Sequence, residues 1–458
     1  MSNFRQKTVL FAVVTAGLLS WQGISTAQEM HDLRDSRTAK DMVAVQVTVA
    51  TQGIVEGAKL KDEKKVEMSV RGQLAYHEKL VTTGADQVAV RNYSKATAQM
   101  VVGQHAETNS LDAQRNVVVA STRDNARIYS PVAPLTRQEF DLLNAPACSL
   151  AAYGLLPTKP VAIGSTWRPT SDQLAAVLRL EHVGVNQAQM KLVEVARGLA
   201  RMQLTGSVKG SVDGATTNML VTGDIRYDLR WKHLTWVQLS IQENRGEGPI
   251  SIPYVARADV RMLIAPIEGD SDISAVPPAI ARENPNQSEM LRYASESIGF
   301  ELLHNSNWHL TGEQGRRATF RLIDKDKIVA QCNISRLTTM PTGKQLSLEE
   351  FQGDIRKALG EQFGEFESAK KTPSKAGGQT LRVSARGLVS EIPIRWIYYH
   401  VTDANGERAA YVFTLSDDLT EKFAGRDQLM VDSVQFVAMQ TPSEQPAAET
   451  AATPPSRR

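Results

Sequence analysis

Cysteine is almost absent from this sequence: Cys148 and Cys332 are the full complement of a 458-residue chain. So few thiols exclude a disulfide-scaffolded miniprotein and a cysteine-built metal site. They leave two arrangements open, one long-range disulfide in an oxidising compartment or two buried thiols in separate domains. A large charge of either sign is also missing, with 52 basic against 50 acidic side chains. A chain so balanced has no global attraction to phosphate backbones or anionic lipid, which argues against a nucleic-acid partner. Long hydrophobic runs are scarce too. The stretch from Thr8 to Trp21 is shorter than the roughly 18 apolar residues that a membrane-spanning helix requires, and no second one follows. No transmembrane anchor is therefore expected in the mature chain.

That short run has another use. Arg5 and Lys7 precede it, and Ser25-Thr26-Ala27 closes it with small residues, the order of a secretory signal peptide over residues 1–27. Cleavage near Ala27 places the mature protein outside the cytoplasm, periplasmic or secreted. The absence of a Cys after the apolar run argues against a lipid-anchored form.

The remaining chain divides by composition. Residues 28–41 are polar and are expected to form a disordered, loosely attached leader. Residues 42–266 are β-rich. Met202, Leu204, Val208 and Val212 alternate with Arg201, Gln203, Lys209 and Asp213, a period of two that puts one face on a core and the other in water. Asp213-Gly214 supplies the hairpin turn that follows. Repeated strands of this kind predict a mainly antiparallel sheet, curled or half-barrelled around its apolar side. The segment Thr136 to Tyr153 is the expected helical insertion, with Phe140, Leu142, Leu143 and Leu150 covering an open side. Residues 267–287 are Pro-rich and polar and predict a linker, and residues 440–458 predict a disordered tail.

Residues 288–439 mix both structure types. Ser347 and Glu350 form a capping box ahead of the stripe Leu348, Phe351, Ile355 and Leu359, which predicts a helix. Strands are expected over Gln379 to Val389 and Ile392 to Thr402, with Asn405-Gly406 turning the chain into Ala409 to Leu415. A short helix from Asp417 to Phe423 and a final strand, Val431 to Phe436, complete the pattern. The run Tyr411-Val-Phe-Thr-Leu415, then Leu419 to Phe423, then Ser433-Val-Gln-Phe436 resembles the end of a PsbP-like domain. Phe300 with Trp308-His309-Leu310 is similar to that family's opening segment. The resemblance implies a C-terminal α+β sandwich that binds partner proteins and does not catalyse. Gly164-Ser-Thr-Trp167 in the β-rich part resembles a turn of uncharacterised secreted bacterial modules, some of them similar to lipoprotein-carrier sheets.

No catalytic set assembles. Gly269-Asp-Ser-Asp272 lacks the Gly that a chymotrypsin-like nucleophile loop places after its Ser. His105-Ala-Glu107 has no Pro-Cys-x-x-Cys downstream, and His77-Glu78 lacks a second zincin His. His304 and His309 have no acidic ligand close in sequence. No catalytic, cofactor or metal residue is therefore nominated, and the chain reads as a non-enzyme.

Two sets of binding residues are. Arg395, Trp396, Tyr398 and Tyr399 form the densest aromatic–Arg cluster, the composition of a protein-binding hot spot. Tyr227, Trp231 and Trp236 are candidates to line a ligand surface in the curled sheet. The leading expectation is a two-domain, non-catalytic envelope protein that binds or scaffolds another protein. The alternative is a carrier of an apolar ligand such as a lipid in the N-terminal sheet; a third reading is an enzyme with a site assembled from distant residues.

Overall fold

The computed structural model describes residues 28–438, apart from 40, 57–64, 85–86, 123–126, 147, 270, 277–289, 326 and 342–343. The expected signal peptide (1–27), the expected tail (440–458) and most of the expected linker (267–287) lie outside the described residues. Among the described residues 58% are strand and 15% helix, so the protein is nearly all β.

Alternation builds the larger part. In Leu199–Val212, Ala200, Met202, Leu204 and Val208 are buried while Arg201, Thr205 and Lys209 are exposed. Asp213 and Gly214 take positive φ angles of 51° and 74°, and Arg197 and Gly198 take 51° and 79°. Two-residue turns of that hand match the twist of the strands and fix the register of the hairpins. Thirteen strands join in one antiparallel sheet. In it Met42–Glu56 lies between Tyr254–Pro266 and Lys65–Thr82, so the first long strand pairs with the last.

One core cluster collects Ile128 from near one edge of this sheet and Met190 and Leu192 from near the other, which requires the sheet to curl. Three helices fill the hollow: α1 (Arg137–Leu143), α2 (Ser149–Ala152) and α3 (Ser171–Leu178). Leu142, Leu143, Leu150, Leu174, Val177 and Leu178 enter the same core. Capping boxes start α1 (Thr136 with Glu139) and α3 (Thr170 with Gln173).

The leader is not loose. Met30–His31 pairs with Val161–Ala162, and Leu33 is fully buried in the large core. The start of the expected linker is also seated. Ser271 N donates to Ser274 Oγ at 3.0 Å and opens a single turn, Asp272–Ala275, whose Ile273 is buried against Val90, Val119 and Tyr129.

The C-terminal half departs from its expectation. It is built on a seven-stranded antiparallel sheet and not on a PsbP-like α+β sandwich. Helix α4 (Leu348–Leu359) packs Phe351, Ile355 and Leu359 on one face. The short helices α5 (Thr420–Phe423) and α6 (Gln428–Asp432) and a four-stranded sheet cover the other. The residues behind the resemblance, Tyr411, Phe413, Leu415 and Phe423, are all buried in one core. They report burial, which any packed antiparallel sheet needs, and so do not specify a fold. The final strand is also shorter than expected: Gln428–Asp432 is helical and only Gln435–Phe436 is extended.

The halves share structure. Leu135–Thr136 runs parallel to Leu291–Arg292, adding an N-terminal strand to the four-stranded sheet. The Arg137 guanidinium donates to the carbonyls of Ser306 and Trp308, and Arg321 Nη1 donates to Pro249 O at 2.6 Å.

Candidate functional site

A charged cleft lies on the face of the seven-stranded sheet opposite α4. Its floor follows from strand register. Gly377–Val389 and Ile392–Asp403 pair so that Arg382 faces Tyr399, Ser384 faces Ile397 and Arg386 faces Arg395. Period two puts these six side chains on one face and sends Trp396, Tyr398 and His400 to the other. The four residues nominated for partner binding are thereby divided. Arg395 and Tyr399 belong to the cleft face, whereas Trp396 and Tyr398 pack with the core under α4.

Arg386 and Arg395 are like charges directly opposite one another, an unfavourable cross-strand pair. Two carboxylates offset it. Arg386 Nε lies 2.5 Å from Glu367 Oε1 and 3.3 Å from Asp417 Oδ1; Arg395 Nη2 donates to the same two oxygens at 2.9 and 3.0 Å. Glu367 reaches this position because the edge strand Phe363–Pro373 bulges there: Phe366 pairs with Ala385 and Ser368 with Ser384, leaving Glu367 as the extra residue. A second bulge leaves Gly364 extra. Opposite it, a Cβ on Gly387 would meet Gln362 O at 1.8 Å, so only glycine permits the strands to approach so closely.

This Arg–carboxylate quartet separates two cavities. One, of about 440 Å³, is lined by Arg386, Leu388, Pro393, Ile394 and Asp417 over the glycine floor. The hairpin that frames it leaves Leu388 57% and Ile392 54% exposed. The other, of about 280 Å³, is lined by Glu367, Arg382, Arg395, Phe423 and Asp427, among others. There Tyr399 OH donates to Asp427 Oδ2 at 2.6 Å, and Arg382 Nε donates to the Tyr399 oxygen at 2.8 Å. Burial, reinforced by the Asp427 carboxylate, pushes the Tyr399 hydroxyl far up, so it stays a protonated donor.

The aromatics nominated in the larger sheet do not converge. Tyr227 is buried, its OH donating to Arg34 O at 3.2 Å; Trp231 sits in a turn and is 48% exposed; Trp236 pairs with Leu263 on the outer face. What that sheet encloses is a polar cluster that sequence reasoning missed. Arg91 and Glu78, 2% and 3% exposed, form an ion pair at 2.8 Å. Ser149 Oγ at the start of α2 donates to Glu78 at 2.6 Å, while Arg91 Nη2 donates to Ser149 Oγ at 2.9 Å and to Cys148 Sγ at 3.0 Å. Burial pushes the Cys148 thiol up, but the Arg91 and Arg179 guanidiniums outweigh it and bring it down to about 7. Both cysteines are free and buried.

Among the described residues no group of His, Cys, Asp and Glu has metal-binding geometry, and no helix is long and apolar enough to cross a membrane. His304 is buried with Nδ1 2.8 Å from Asn305 O, and His309 Nε2 lies 3.9 Å from Asp213.

No protein-family model and no curated protein matches the chain, so neither resemblance read from the sequence is supported by a family. Solved structures give distant similarities. A lipovitellin structure concerned with lipid–protein interactions is 8% identical over 51% of this chain, with a TM-score of 0.28; the chain spans only 26% of that protein. The T6SS immunity protein TplEi of Pseudomonas aeruginosa, complexed with a peptide, is 9% identical over 52% of this chain and 95% of its own, with a TM-score of 0.20. The translocator domain of the autotransporter NalP from Neisseria meningitidis is 8% identical over 83% of this chain and 90% of its own, with a TM-score of 0.13. Scores at this level establish no shared fold.

Proposed function

We propose that this is a non-catalytic, extracytoplasmic binding module whose C-terminal cleft holds a segment of a partner protein. The observation that carries the reading is the quartet of Arg386, Arg395, Glu367 and Asp417 set beside an exposed apolar hairpin tip. Leu388 and Pro393 offer apolar area to a partner on the cleft face, and the neighbouring guanidiniums and carboxylates offer orientation to its polar groups. Electrostatic pairs at such a rim set specificity and approach more than raw affinity.

The test is photo-crosslinking in the protein's own compartment, with the photoreactive residue at Leu388 and a control at the exposed Leu220 of the larger sheet. A discrete adduct from Leu388 that disappears with Arg386→Glu and Arg395→Glu supports the reading. The same adducts from both positions, or none from Leu388, would refute it.

A second reading has one observation in its favour. The apolar inner face of the larger sheet is sealed by short helices fastened through Arg91, Glu78 and Ser149. A carrier of an apolar ligand could use that face if the helices lifted. In this structure Leu142, Leu150, Leu174 and Val177 occupy it.

A further inference from the structure

The smaller cavity carries fittings that a surface for a protein segment does not need. Its lining contains two guanidiniums, Arg382 and Arg395, and two carboxylates, Glu367 and Asp427. A guest with charge of one sign would pair with half of these and face its own sign in the rest. A guest carrying both signs meets both.

The internal pairing is also uneven. Arg395 is held at 2.9 and 3.0 Å, whereas Arg382 Nη2 and Nη1 reach Asp427 and Ser368 only at 3.3 and 3.5 Å. Charge-assisted N–H···O bonds settle near 2.7–2.9 Å, so the Arg382 Nη groups retain donor capacity for a better acceptor. Asp427 is almost buried, and both its contacts, from Tyr399 and Arg382, fall on Oδ2. Its Oδ1 keeps its capacity to accept. Ile397, Phe423 and Ala424 supply an apolar wall between these ends. At about 280 Å³ the space falls just below the range of drug-sized pockets and suits a smaller guest.

The geometry points to this cavity as a binding site for a free α-amino acid, a small zwitterion with an apolar side chain. Its carboxylate pairs with Arg382 and Ser368, its ammonium with Asp427, and its side chain lies against Phe423 and Ile397. The site stands independently of the protein partner at Leu388.

Isothermal titration of the full mature chain with leucine, N-acetyl-leucine and leucinamide tests it. Leucine is expected to bind, and blocking either end to weaken binding at least tenfold. Arg382→Gln should cost a similar factor with the thermal midpoint retained. Asp427→Asn should abolish the discrimination against N-acetyl-leucine, which lacks the ammonium; should that variant fail to fold, Ser368→Ala replaces it, with a several-fold loss for leucine. Equal binding of all three ligands, or binding of none, overturns the proposal. Should no ligand bind while the Leu388 crosslink still forms, the amino-acid site has failed and the partner reading has not.

Discussion

In the larger sheet, the charges that leave the surface are enclosed on every side: Arg91 and Glu78 face each other with Ser149 and Cys148 closing the remaining bonds. In the seven-stranded sheet, Arg386 and Arg395 are equally well paired, yet they stand between two open cavities. Enclosed pairs must satisfy one another, because water cannot replace a lost partner. Pairs beside a cavity can exchange partners with a guest at small cost. The first arrangement fastens a helical cap to a sheet, and the second leaves a surface able to recognise something.

The largest expected effect breaks this contrast most directly. Arg91→Ala leaves Glu78 buried and unpaired and should cost about 3–5 kcal/mol in urea unfolding, whereas Arg386→Ala should cost about 1 kcal/mol or less. Comparable losses would mean that the cleft pairs are structural as well.

Titration sharpens the same comparison. His304, its pKa pushed down to about 4 by burial, is neutral in the folded state. Stability of the C-terminal half should therefore fall as pH drops from about 6.5 to about 4, by up to about 3 kcal/mol. His304→Asn should reduce that slope in near-UV circular dichroism melts and leave the part due to His309 and His400, which burial also pushes down, to about 3 and about 4. Cys148 acts in the opposite range. Its pKa is lowered to about 7, so its stabilising contribution is full above the usual thiol value of 9.0 and is lost as pH falls through about 7. Cys148→Ser should remove the gain in thermal midpoint between pH 7 and 9. A pH profile unchanged by that substitution would contradict the assigned role of Arg91 and Arg179.

The smallest effect lies at the hairpin tip beside the cleft. Ser390 and Glu391 take φ angles of 48° and 68°, which only glycine or asparagine adopts cheaply. Glu391→Gly should relieve the left-handed strain and stabilise by about 0.5–1 kcal/mol in thermal unfolding. No gain would show that the turn is held by its surroundings.

How much was legible in the sequence differs between the regions for the same physical reasons. Period-two alternation and the Asp213-Gly214 and Asn405-Gly406 turns revealed the long hairpins, because those signals are local. The capping box at Ser347 marked α4 for that reason too. Helix α3 carries an equivalent mark that the strand-dominated pattern around it hides, Thr170 with Gln173 ahead of Leu174, Val177 and Leu178. The cleft was legible only in part. Arg395 and Tyr399 stood out by type, and Arg382, Ser384 and Arg386 share a face by parity. Glu367 joins them only through a bulge in a neighbouring strand, and Asp417 and Asp427 only through the packing of the short helices. The Arg91–Glu78 pair depends on register between two strands and so left no local trace. The PsbP-like resemblance misled because its matching residues are core positions, which many antiparallel sheets share.

Native mass spectrometry of the mature protein, purified from its own compartment, tests the division of labour most directly. The account predicts a chain free of acyl-chain mass, with a protein partner whose association is lost in the Arg386→Glu, Arg395→Glu variant. An acyl-chain mass that co-purifies with the protein and persists in that variant would contradict it and move the function to the larger sheet.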